Sequence, residues 1–108
     1  MNDHEFQKCA DEALSQLYSR LVKASDDANF EPEFQAGALS IEFDDPPARF
    51  VISPNSPVQQ IWVSAHSRSF KLDWDDARGA FVLRDSGQTL AELIGSAIGQ
   101  QLGEEIRL

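Results

Sequence analysis

The chain has 108 residues, 42% of them apolar and 25% charged, and its nine basic and eighteen acidic side chains leave a formal net charge of −9. That is enough for one domain with one modest core, too apolar for a disordered polymer, and without the ~20-residue apolar run that a membrane span needs. The acidity argues against nucleic acid and anionic membrane as partners and favours cations and basic protein surfaces. It is also uneven. Residues 1–45 carry eleven acids and three bases, residues 46–108 seven acids and six bases.

In chain order, Phe6, Cys9, Ala10, Ala13, Leu14, Leu17, Leu21 and Ala24 recur at three- and four-residue steps, the stripe of an amphipathic helix. Asn2 with Glu5 reads as a capping box at its start, and Ser25 to Asn29 as the turn that ends it. The period then becomes two. Phe30, Pro32 and Phe34, and after Ala36-Gly37 Leu39, Ile41 and Phe43, alternate with polar or acidic residues, predicting two strands with one dry and one wet face. Pro32 marks the first as an edge strand.

Asp45-Pro46-Pro47 predicts a turn, and further strands are expected at 49–53, 59–65, 69–74 and 80–84. Connections this short favour antiparallel neighbours. Thr89 and Glu92 form a second capping box before a helix burying Leu90, Leu93, Ile94, Ala97, Ile98 and Leu102. Gly95, Gly99 and Gly103, at four-residue spacing, predict close backbone approach or a weak helix. The expected fold is α+β: a two-layer α-β sandwich, N- and C-terminal helices on one face of an antiparallel sheet of about six strands, one domain over 1–108.

Catalytic candidates are few. His4 and His66 sit in no nucleophile–base pattern, Cys9 lies on the apolar stripe, and there is no phosphate loop or H-E-x-x-H. The lone cysteine excludes an internal disulfide and a thiolate zinc site. With a start, Met1 to Glu5, unlike a secretory signal or presequence, it points to a reducing, bacterial-type cytoplasm.

Carboxylates are the richer set. Their hard oxygens suit iron, magnesium, manganese and calcium. Asp11 shares a helix side with His4, and Glu12 with Glu5, with Lys8 between them; Asp26, Asp27, Glu31 and Glu33 follow, and Asp44 is within reach. The alternative is a solvated face with weak charge pairs. Sites of this kind would be exposed, water-rich and weak. In the strand over 59–65, Ile61 and Val63 point one way and Gln60, Trp62 and Ser64 the other. Trp62 is thus expected on the open sheet face, flanked by amides, as in a protein-binding hot spot; the alternative register would bury it.

The order of elements, the acidic first helix and edge strand, Gly37-Ala38-Leu39-Ser40-Ile41-Glu42-Phe43, Pro57-Val58-Gln59-Gln60-Ile61-Trp62-Val63, Phe70-Lys71-Leu72-Asp73 and Arg84-Asp85-Ser86-Gly87-Gln88-Thr89-Leu90 resemble the bacterial branch of the frataxin family over roughly residues 2–103. The resemblance implies a non-catalytic protein that binds ferrous and ferric iron weakly on an acidic ridge, other hard divalent or trivalent cations substituting. It further implies docking on the cysteine desulfurase and the scaffold protein of iron–sulfur cluster assembly, as a monomer with iron-dependent oligomers as a variant. Matching ridge positions are Asp3, Asp11, Glu12, Asp27, Glu31, Glu33 and Asp44, with Asp26 nearby. Asn55, Gln60 and Trp62 match the family's partner contacts. Tyr18, Ser19, Val22, Lys23 and Ser25 stand where bacterial relatives often carry acids, which moves the expected sites toward the helix start and first strand. Two rivals stand beside this reading: a weak ferroxidase or iron store, and an acidic interaction module that needs no metal.

Overall fold

The computed structural model describes residues 1–108. Helix α1 spans Asp3–Ser25 and helix α2 Leu90–Leu102, flanking strands β1 (Glu31–Gln35), β2 (Ala38–Asp44), β3 (Pro47–Asn55), β4 (Gln60–Ala65), β5 (Arg68–Asp75) and β6 (Ala80–Val82). The strands form one sheet in sequence order, every neighbouring pair antiparallel. Both helices pack on one face of it, as the hydrophobic patterning predicts.

Local chemistry explains the boundaries. Asn2 Oδ1 accepts the Glu5 backbone N–H at 2.8 Å, but Glu5 makes no reciprocal bond, so only half of the expected capping box exists. At α2 both halves form: Thr89 Oγ1 accepts the Glu92 N–H, and Glu92 Oε1 accepts the Thr89 N–H at 2.9 Å. The Ala36-Gly37 turn takes positive φ at both residues, 55° and 79°, the geometry whose twist suits a two-residue hairpin. Strand β3 runs longer than expected at both ends, and a 3-10 turn, Ser56–Val58, follows. Gln59 caps that turn in the left-handed region (φ 53°), which delays β4 to Gln60. Strand β6 stops two residues early because Leu83 turns to donate its N–H to the Gln88 carbonyl.

The core lies between helices and sheet. Leu39, Ile41, Phe43, Phe50, Ile52, Ile61, Val63, Leu72 and Phe81 meet Phe6, Leu14, Leu17 and Leu21 of α1 and Leu93, Ile94 and Ile98 of α2. Phe6 stands edge-on to Phe81 at 5.9 Å, and Tyr18 edge-on to Phe34 at 6.0 Å. His66 has a structural place. Its Nε2–H donates to the Ala97 carbonyl at 2.9 Å while the ring packs on Phe50, tying the β4–β5 turn to α2. Cys9, expected to be buried, is only partly so.

The glycines of α2 make room for the C-terminal tail. A Cβ on Gly95 would lie 3.0 Å from the Ile106 carbonyl oxygen, and one on Gly99 2.7 Å from that of Glu104. Ile106 and Leu108 pack against the core. Deleting residues 104–108 is therefore expected to lower the melting temperature by several degrees. Gly99→Ala should destabilise the full chain by roughly 1–3 kcal/mol through overpacking, yet stabilise the shortened chain by about 0.5–1 kcal/mol through helix propensity. Paired thermal melts read this reversal of sign, and equal effects in both backgrounds would refute it.

The N–H donated by the Thr89 backbone, then the Thr89 hydroxyl contact and Arg78, hold the Glu92 carboxyl below its ordinary value of 4.5. A depressed carboxyl stabilises the fold above its unfolded pKa and loses that contribution as pH falls through the folded one. Melting temperatures of the native chain and Glu92→Gln should therefore differ at pH 6 and converge as pH falls through the lowered folded pKa of the carboxyl; a constant gap would show that the charge is irrelevant to the cap.

Candidate docking face and acidic edge

Side-chain parity builds the surface opposite the helices. With Leu39, Ile41 and Phe43 of β2 turned inward, Ser40, Glu42 and Asp44 turn outward, and the register sets Glu31 across from Glu42, and Glu42 across from Arg49. Glu33 faces Ser40. Glu31 and Glu42 thus stand as like charges on adjacent strands, an unfavourable pairing. Arg49 relieves it in part, at 3.9 Å from Glu42 with both side chains more than half exposed, so its contribution is small.

The sequence-predicted acids fall into separate groups. Glu31, Glu33 and Asp44 belong to the open face at the β1–β2 edge. Asp3 accepts from Gln59 Nε2 at 3.3 Å, and Asp11 from Gln7 Nε2 at 2.9 Å, near the turn after β3; Glu12 is exposed one residue on. Asp26 and Asp27 lie at the other end of α1. There they ring a surface hollow of about 490 Å³ with Asp45 and Glu104, two neighbours that sequence distance concealed. A 23-residue helix separates the ends by about 35 Å. Nowhere do three or more His, Cys, Asp or Glu side chains converge to hold an ion. None of the eight predicted acids takes part in the ion pairs Arg49–Glu42, Arg78–Glu92, Arg84–Asp73 and Arg107–Glu105. The negative field is therefore distributed and largely uncompensated.

Toward the centre of the same face stands Trp62, 39% exposed, in the orientation its strand parity predicts. Lys71, its cross-strand partner, places its ammonium 5.0 Å from the indole centroid. The indole N–H donates to Gln60 Oε1 at 3.0 Å. Gln60 Nε2 donates to Asp73 Oδ1 at 3.1 Å, and Arg84 Nε to Asp73 Oδ2 at 3.3 Å. Asn55, half-buried at the end of β3, is the register partner of Gln60. Lys71, Asp73 and Arg84 were not among the predicted contacts; the period-two pattern puts Lys71 and Asp73 on the Trp62 face once β4 and β5 are paired.

A family model described as a frataxin-like domain matches residues 1–104. The chain belongs to that family. Among curated frataxin relatives, the iron–sulfur cluster assembly protein CyaY of Dechloromonas aromatica is 33% identical over 108 residues, covering 100% of this chain and 99% of its own. That of Azotobacter vinelandii is 29% identical over 97 residues, covering 88% and 87%. The solved frataxin of Psychromonas ingrahamii matches 99% of this chain and 97% of its own with a TM-score of 0.78 at 23% identity, a likeness of fold. Neither helix of this frataxin-family chain is long and apolar enough to cross a membrane.

Because Trp62 lies outside the core but carries the Gln60 hydrogen bond and the Lys71 contact, Trp62→Ala should cost about 0.5–1.5 kcal/mol. A chemical melt would read this, and a loss of several kcal/mol would put the indole inside the fold.

Proposed function

We propose that the chain is a non-catalytic protein of iron–sulfur cluster assembly that handles iron as cargo and docks on the cysteine desulfurase and its scaffold protein. The names of its CyaY relatives support the pathway. The observation that carries the docking reading is the coexistence, on one sheet face, of unpaired Glu31, Glu33 and Asp44 with the exposed Trp62. Distributed carboxylates attract a basic patch over a distance and fix its approach, and the aromatic then supplies the packed contact. Asn55 and Gln60 flank that contact.

For iron, Asp3, Asp11, Glu12, Asp26, Asp27, Glu31, Glu33 and Asp44 act as exposed single-carboxylate stations, each leaving most of the ion's shell to water. Glu31 with Glu42 is the best pair, and affinity is weak. The lack of convergence favours a second reading, in which docking needs no metal; partner affinity unchanged by ferrous ion and by chelator would select it. A ferroxidase is the remaining rival, and faster oxidation of ferrous iron with the protein than without it would select that.

Replacing Glu31 and Glu33 by Lys should weaken desulfurase binding about tenfold at low salt and flatten the salt dependence of what remains. Unchanged affinity at low salt would count against electrostatic docking. In an anaerobic ferrous titration followed by NMR, amides around 26–33 and Asp44 should broaden in several overlapping stages. One sharp transition at all sites would instead indicate a single shared centre.

A further inference from the structure

The chain of hydrogen bonds behind Trp62 has a direction that chemistry fixes. An ionised Asp73 carboxylate can only accept, so the Gln60 amide must turn its NH2 toward Asp73 and its oxygen toward the indole N–H. Arg84, in the turn just after β6, occupies the second carboxylate oxygen and holds the charge in place. Gln60 and Asp73 are register partners and both half-buried, so their backbones fix the span that the amide bridges. The indole therefore has its one polar group satisfied within the protein before any partner arrives, with Lys71 over the ring.

We propose that Asp73 is a positioning residue for the docking face: through Gln60 it locks Trp62 with its N–H turned inward, so that the partner pocket receiving the indole is apolar and offers it no acceptor. This rests on the docking reading above. A tryptophan with a free N–H would need an acceptor in the partner or would leave a buried donor unpaired; a satisfied one does not. Restricting the ring before contact also reduces the ordering lost on association.

Asp73→Asn tests the inference, because the asparagine offers an NH2 as well as an oxygen and lets Gln60 turn over. The protein has two tryptophans, and the Trp74 indole donates to Asp76 at 2.7 Å, independently of this chain. In 1H–15N spectra of the free Asp73→Asn protein, the Trp62 indole resonance should shift while that of Trp74 stays, which also reports an intact fold. Affinity for the cysteine desulfurase complex should fall about three- to tenfold in the native background and not at all in a Trp62→Ala background. An unmoved Trp62 resonance overturns the inference, as does an equal loss of affinity in both backgrounds, which would make Asp73 a direct contact. If Trp62→Ala alone leaves affinity unchanged, the docking reading fails, while the indole spectrum still decides whether Asp73 holds the ring.

Discussion

The sheet is buried on one side only, and because successive strand residues point to opposite faces, that burial dictates the surface. Leu39, Ile41 and Phe43, Phe50 and Ile52, and Ile61, Val63 and Ala65 cannot leave the helices without exposing the core. Their parity forces Glu31, Glu33, Glu42, Asp44, Gln60 and Trp62 to the other side. A slip of one residue in any strand would exchange the two sets, at a cost of roughly 1.5–3 kcal/mol for each large apolar side chain exposed. No separate device is needed to hold Trp62 in water. The hydrophobic effect acting on its neighbours does so.

The same constraint governs the charges. Strands β1 and β2 must carry polar side chains outward, and here they carry acids, even where register sets Glu31 against Glu42. In water the repulsion of two such charges is at most about 1 kcal/mol, and salt screens it over ~8–10 Å. Arg49 lowers it further. The structure can therefore tolerate a crowded acidic edge without building the desolvated, hydrogen-bonded cage that a strong ion site requires. At the far ends of α1, the Asp3 and Asp26 groups lie several screening lengths apart and act independently. What the arrangement provides is a graded field along the molecule, suited to attraction and steering rather than tight chelation.

Much of this was legible from sequence because the two hydrophobic periods are strong and the connections short. The stripe from Phe6 to Ala24, the alternation through Phe43, and Thr89 with Glu92 each name an element, and the orientation of Trp62 follows from Ile61 and Val63 alone. Boundaries were less legible where single backbone conformations decide them: the left-handed Gln59 delays β4, and the Leu83–Gln88 bond shortens β6. The acids were legible as a composition but not as a constellation. Helical spacing relates Asp11 to His4 and to Gln7, yet nothing local shows that Asp45 and Glu104 join Asp26 and Asp27, or that Gln59 engages Asp3. Those relations arise only when distant elements pack.

The sheet edges bear on the docking face proposed above. An open edge strand is a template for pairing with another chain. Here β1 carries Pro32 and two outward glutamates, and β6, at the opposite edge, has three residues with a bridge from Val82 to Thr89 closing over its end. Both edges are poor templates for strand addition. Helices cover one face, and the tail packs over α2 at Gly95 and Gly99. The proposed docking surface is the open face, whose chemistry runs from acid at β1 and β2, through Ser40, Val51, Ser53 and Trp62, to Lys71 and the Asp73–Arg84 pair. On the docking reading, a partner seated across it supplies positive charge at one end and an apolar pocket near the middle. That requirement sets the orientation of docking as well as its strength, since reversing the partner end for end would bring its basic patch against Lys71 and Arg84.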